Sequence, residues 1–113
     1  MSVVRSLGWC FTINNWTPED EECLALLTGH KYIVFGRETG EDGTPHLQGF
    51  VQFKSQRTLS SMSKALPRAH LEVTKGRPDQ AAEYCKKDGD FYEEGEVPLA
   101  PNKGEKERES GRK

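Results

Sequence analysis

Several large protein classes are excluded by what this sequence has little of. Its three cysteines, Cys10, Cys23 and Cys85, are an odd number, and no pair has the C-x-x-C spacing. That argues against a disulfide framework and a zinc knuckle, and makes a reducing compartment the natural setting. No apolar run approaches the ~20 residues that a membrane helix needs. The opening residues MSVVRSLGW lack the apolar core of a signal peptide. A soluble, intracellular protein with no membrane partner is expected. The G-x-x-x-x-G-K-[ST] phosphate loop is missing, which excludes an ATPase of that kind. A hydrophobic content of 34% over 113 residues suffices for one small core and not for two.

Net charge is also scarce, at −2, but it is unevenly spread. Residues 1–53 carry three basic and seven acidic side chains, whereas 54–87 carry eight basic and three acidic. Residues 88–98 carry five acidic and no basic groups. Local field rather than total charge steers a polyanion, so the basic middle third could face a phosphate backbone. A solvated mixed surface is the plainer reading.

Along the chain, Trp9 to Ile13 is rich in strand formers and stops at Asn14-Asn15. Thr17-Pro18-Glu19-Asp20 supplies an N-cap, a proline at the first helical position and acids in the first turn, predicting a helix that ends near Gly29. Lys31–Glu38 and His46–Phe53 read as strands flanking the turn cluster TGEDGTP, hence an antiparallel hairpin. Arg57–Leu66 has helical spacing closed by Pro67, Ala69–Val73 alternates like a strand, and Pro78–Lys87 is helical. Phe91-Tyr92 adds a short edge strand. The order βαββαβα predicts an α+β fold, an antiparallel sheet flanked by helices and near the ferredoxin-like family. Residues 1–98 form the expected domain; 99–113, rich in Pro, Lys, Glu and Gly, are expected to be a disordered linker.

The stretch TPHLQGF places His46 and Gln48 two residues apart on one strand face. If the hairpin pairs Glu38 with His46, Gln48 falls opposite Gly36, and Glu38, His46 and Gln48 share that face. One imidazole nitrogen, one amide oxygen and one carboxylate suit Mg²⁺ or Mn²⁺ better than structural zinc. A half-buried strand histidine without a ligand is the alternative, and Glu41 competes with Glu38 as the carboxylate. Farther on, Gln80, Tyr84 and Lys87 stand on one helix face. That polar company suits a phenol presented to a phosphate, while a tyrosine packed in the core is the alternative. A phenol with a pKa near 10 needs assistance as a nucleophile, which a divalent ion can provide.

FTINN (Phe11–Asn15), PHLQG (Pro45–Gly49) and EYCKK (Glu83–Lys87) resemble, in order and spacing, motifs I, II and III of the replication initiators of circoviruses and related small circular single-stranded-DNA viruses. The resemblance covers about residues 9–98. It implies an endonuclease of the HUH type with a five-stranded antiparallel sheet, in which Gln48 replaces the second histidine, as in the circovirus-like branch. Glu38, His46 and Gln48 would hold Mn²⁺ or Mg²⁺, Tyr84 would be the nucleophile, and Lys87 would stabilise the phosphate. The implied partner is single-stranded DNA at a stem-loop replication origin; Asn14 and Asn15 fit motif I as base readers, with a strand-ending turn as the alternative, and Lys54, Arg57, Lys64, Lys75 and Arg77 of the basic segment are the candidate phosphate contacts. The resemblance also implies a following helicase domain beyond the linker, oligomerisation through regions outside this chain, and the host nucleus as location. The competing expectation is a non-catalytic module like an RNA-recognition domain, with Phe50 and Phe53 of FVQFKSQRT stacking bases. His30 and His70 have no assigned partner.

Overall fold

The computed structural model describes residues 3–40, 43–74 and 77–96. The chain runs β1 (Arg5–Asn14), α1 (Pro18–Ala25), β2 (His30–Thr39), β3 (Pro45–Thr58), α2 (Leu59–Ala65), β4 (His70–Val73), α3 (Pro78–Cys85) and β5 (Phe91–Gly95). The five strands form one antiparallel sheet in the order β4-β1-β3-β2-β5. The first four follow the split βαβ order of ferredoxin-like folds, and β5 is an added edge.

Helix starts are set locally. Asp20 Oδ2 accepts the Thr17 backbone N–H at 2.9 Å, with Pro18 at the first position of α1. Thr58 Oγ1 accepts from Ser61 N at 3.1 Å and so begins α2. The sequence predicts a helix from Arg57, but β3 continues instead to Thr58, because Ser6 and Arg5 of β1 pair with Arg57 and Thr58. Cross-strand hydrogen bonds thus outweigh weak helical spacing there. Phe91-Tyr92 likewise extends to a five-residue strand along β2.

Alternation along the strands sorts the side chains onto two faces. On the first, Trp9, Phe11, Ile13, Ile33, Phe35, Leu47, Val51 and Phe53 pack with Leu24, Leu27, Met62 and Leu66, so that this face is sealed by α1, α2 and their flanks. On the second, Tyr32, Val34 and Phe50 pack with Ala82 and Cys85 of α3. Phe50 and Phe53 therefore point to opposite faces, and each is 0% exposed. The expected base-stacking pair is not available, since both rings belong to the core.

Two close approaches fix the layers. At Gly49 a Cβ would overlap the Phe11 ring on the first face, and at Gly36 a Cβ would overlap the Cys85 carbonyl oxygen on the second. Gly36 thus lets the end of α3 settle directly on the sheet. Among the described residues no helix is long and apolar enough to cross a membrane. The linker expected at 99–113, with its boundary at 98, lies outside the described residues, as do Glu41 and Lys75.

Candidate active site

In the hairpin, Glu38 pairs with His46 and Gly36 with Gln48, which is the register expected from the alternation. On the other side of β3, β1 sets Asn14 opposite His46 and Thr12 opposite Gln48. The central strand therefore presents His46 and Gln48 between polar neighbours on the second face. His46 Nε2 lies 3.0 Å from Glu38 Oε1, and the Glu38 side chain is only 7% exposed. Glu38 Oε2 accepts a hydrogen bond from Lys87 Nζ at 2.6 Å. Gln48 Oε1 accepts one from Thr12 Oγ1 at 3.2 Å.

An imidazole nitrogen, a carboxylate oxygen and an amide oxygen are donor types that a small divalent cation accepts. Two ligands at right angles around an octahedral ion, each about 2.1 Å from it, stand about 3.0 Å apart. The His46 and Glu38 atoms already have that separation. An amide oxygen has two lone pairs, so Gln48 can keep the Thr12 hydrogen bond and still face a cation. Among the described residues no three His, Cys, Asp or Glu side chains converge to hold a metal. The candidate set depends on the glutamine.

Three tyrosines occupy three environments. Tyr32 is buried, and its hydroxyl donates to Glu93 Oε2 at 2.5 Å. Burial first, and then the Glu93 carboxylate, raise its pKa strongly, which keeps it protonated. Tyr92 stacks against Phe35 with ring centres 5.4 Å apart, on the first face. Tyr84 is 55% exposed at the end of α3. The Lys87 ammonium lies 4.1 Å from the centre of its ring while also bonding Glu38, so a single cation joins the phenol to the proposed ligand set. Partial burial pulls the Lys87 pKa down, but the Glu38 hydrogen bond and the charges of Glu38, Tyr84 and Asp88 together raise it. Lys87 is therefore a permanent cation at neutral pH.

Residues 6–88 match the model of a protein family described as "Putative viral replication protein". The chain belongs to this family of viral replication proteins. It is 46% identical over 95 residues to the replication-associated protein of canary circovirus, covering 80% of this chain and 33% of that protein. It is 48% identical over 84 residues to the replication-associated protein of beak and feather disease virus, covering 73% and 29%. With the master replication protein of subterranean clover stunt virus it shares 41% identity over 80 residues, covering 71% and 27%. The chain spans about a third of the length of these relatives.

The DNA-contact residues expected of this viral replication domain fall in different places. Asn14 and Asn15 end β1 beside His46, with Asn15 in the left-handed region at φ 53°. Their turn is pinned: Asn15 N donates to Pro45 O at 2.8 Å, and Arg68 Nη2 donates to the Asn14 and Asn15 carbonyls at 3.0 and 3.3 Å. Arg68 also bonds the buried Asp20 carboxylate. This Arg68 brace was not apparent from the sequence, because its partners are distant in the chain.

Among the described residues, the expected basic side chains do not form one patch. Lys54 is exposed, and Arg57 donates to Thr28 O at 2.6 Å with its guanidinium 4.2 Å above the Phe53 ring. Both lie toward the end of β3 opposite His46, at ~3.3 Å of rise per residue. Lys64 sits in the last turn of α2. Arg77 pairs with Asp79 at the start of α3, at 3.1 Å. His30 is 3.5 Å from Glu94, and His70, which is exposed, is 3.5 Å from Glu72.

Proposed function

We propose that this domain is a metal-dependent HUH-type endonuclease and strand transferase that nicks and rejoins single-stranded DNA at a stem-loop origin and so initiates rolling-circle replication of a small circular viral genome. One observation carries the reading: Tyr84 and Tyr92 are both exposed, but Tyr92 lies beside Phe35 on the first face, whereas Tyr84 lies on the sheet face of Glu38, His46 and Gln48, one lysine ammonium away from them.

Glu38, His46 and Gln48 would hold Mn²⁺ or Mg²⁺, and the ion supplies Lewis-acid polarisation of the scissile phosphate. Tyr84 Oη attacks the phosphorus in line, forming the phenolic O–P bond as the P–O3′ bond breaks. The phenolic proton leaves to solvent and the departing 3′ oxygen takes one up. A 3′-hydroxyl and a 5′-phosphotyrosine result, with no net change in protons. Lys87 stabilises the negative charge gathering on the phosphate and the tyrosine oxygen. The phosphotyrosine is itself a diester, so a returning 3′-hydroxyl reseals the strand without ATP. Asn14 and Asn15, at the end of β1 beside His46, would contact bases, and Arg77 would meet a phosphate farther along; Lys75 is assigned to phosphate from the sequence alone. Lys54 and Arg57 contribute at most at the far end of the strand track. The reading carries with it the host nucleus as location and oligomerisation through segments outside this chain.

Incubation with Mn²⁺ and a stem-loop oligonucleotide is expected to give a covalent protein–DNA adduct on denaturing gels, absent for Tyr84→Phe. Binding without an adduct in the unaltered protein would reject the chemistry and leave a binding module.

A further inference from the structure

Glutamine is an unusual choice where a rigid ligand is needed. It turns about three side-chain bonds, and ordering it costs rotamer freedom. Its two cross-strand neighbours differ sharply. On β2 the partner is Gly36, which has no side chain and is covered by the Cys85 carbonyl. On β1 the partner is Thr12, whose hydroxyl donates to Gln48 Oε1 at 3.2 Å. Threonine is stiff at its first side-chain torsion, so its hydroxyl is held by a strand that is itself paired on both sides, with β3 and with β4. The hydrogen bond holds the amide end of the side chain beside β1, with its oxygen turned to the hydroxyl and a second lone pair left on that oxygen.

We propose that Thr12 is the positioning residue for Gln48, fixing the orientation of the amide so that its oxygen joins Glu38 and His46 as a cation ligand. The inference rests on the metal-dependent reading above and deepens it. Thr12 itself touches neither cation nor DNA phosphate in this account. Its influence passes through Gln48, as second-layer partners commonly act on metal ligands.

The test is Mn²⁺ titration of the 113-residue protein, followed by calorimetry or by the loss of the free-ion electron paramagnetic resonance signal. Thr12→Val keeps the shape and removes the hydroxyl; it is expected to weaken Mn²⁺ binding about 10-fold. Thr12→Ser restores the hydroxyl and is expected to recover most of that loss. In a Gln48→Ala background, which is itself weakened, Thr12→Val is expected to have no further effect, because the group it orients is gone. Melting curves check that Thr12→Val stays folded at the titration temperature; Thr12→Ser carries the comparison if it does not, by binding as tightly as the unaltered protein. Thr12→Val binding Mn²⁺ as tightly as the unaltered protein, with Gln48→Ala weak, would overturn this inference alone. An equal further loss in the Gln48→Ala background would also overturn it, since Thr12 would then act elsewhere. No Mn²⁺ binding by the unaltered protein would remove the metal reading and this inference together.

Discussion

The two faces of one sheet, made by alternate residues of the same strands, have been put to opposite uses. On the first face Trp9, Phe11 and Ile13 of β1 and Leu47, Val51 and Phe53 of β3 disappear under two helices. On the second, the intervening Thr12 and Asn14, and His46 and Gln48, stay partly open, and α3 covers the part occupied by Tyr32, Val34, Gly36 and Phe50. A one-residue slip anywhere in β3 would exchange these roles, burying the histidine and exposing the leucine. The core that stabilises the sheet therefore also enforces the register that lines up Glu38, His46 and Gln48. The difference predicts a separation: changes at exposed positions of the second face should remove chemistry and spare stability, and changes at buried positions of either face should do the reverse.

The largest expected effect is on chemistry alone. Tyr84→Phe should reduce adduct formation to background while leaving the midpoint of chemical denaturation within about 0.5 kcal/mol of the parent, as for other exposed sites. Tyr32→Phe, on the same face but buried, should keep the adduct and lose about 1 kcal/mol with its Glu93 hydrogen bond. If the two exchanged these phenotypes, the choice of nucleophile would be wrong. Gly36→Ala should breach the separation, because its Cβ must displace the Cys85 carbonyl at the base of α3. A cost of about 1–3 kcal/mol and a loss of nicking on the order of 10²-fold from misplacing Tyr84 are expected together. Unchanged nicking would show that α3 is not anchored there. On the sealed face, Met62→Ala at a site 0% exposed should cost about 2–5 kcal/mol in urea melts, with adduct yield per folded molecule within about twofold of the parent. A selective loss of nicking at full stability would refute the division of labour between faces.

The chain discloses the open face better than the sealed one's details. Register was legible because period-two alternation, a Gly-rich turn and the spacing of Glu38 and His46 all depend on neighbours in sequence. The helix starting at Thr17 was legible for the same reason. The end of β3 was not: Lys54 to Thr58 is polar without alternation, and it is extended only because the start of β1 lies alongside. Phe50 and Phe53 looked like a stacking pair, yet they stand three residues apart in a strand, so the odd spacing alone sends them to opposite faces. That signal was available. Thr12 was available too, since it alternates with Asn14, but the value of its hydroxyl depends on which residue of β3 lies opposite. Several cations of the basic segment are tied up in ion pairs. Arg68, Arg77, Lys86 and Lys87 each have a carboxylate partner, and only the fold reveals those pairings.

The smallest expected effect concerns how α3 and β5 are tied together beside the open face. Glu93 of β5 accepts from Tyr32 at 2.5 Å and from Lys86 at 3.2 Å. The Tyr32 hydrogen bond, with the Lys86 hydrogen bond and charge, lowers the Glu93 pKa below its ordinary 4.5 despite opposition from burial. A carboxylate with a depressed folded pKa stabilises the fold above its unfolded pKa and loses that contribution as pH falls through the folded value. Glu93→Gln should keep an acceptor for Tyr32 and lose the charge. Thermal melts from pH 7 to pH 3 should then show the parent ahead by a modest margin, up to about 1 kcal/mol for so accessible a pair, down to about pH 4.5. Below that the gap should close as the parent's own carboxylate is protonated. A gap of constant size down to pH 3 would mean that shape or amide geometry, and not charge, distinguishes the two side chains. Nicking measured at neutral pH should be the same for both proteins, because Lys86 pairs with Glu93 while Lys87 turns toward Glu38 and Tyr84.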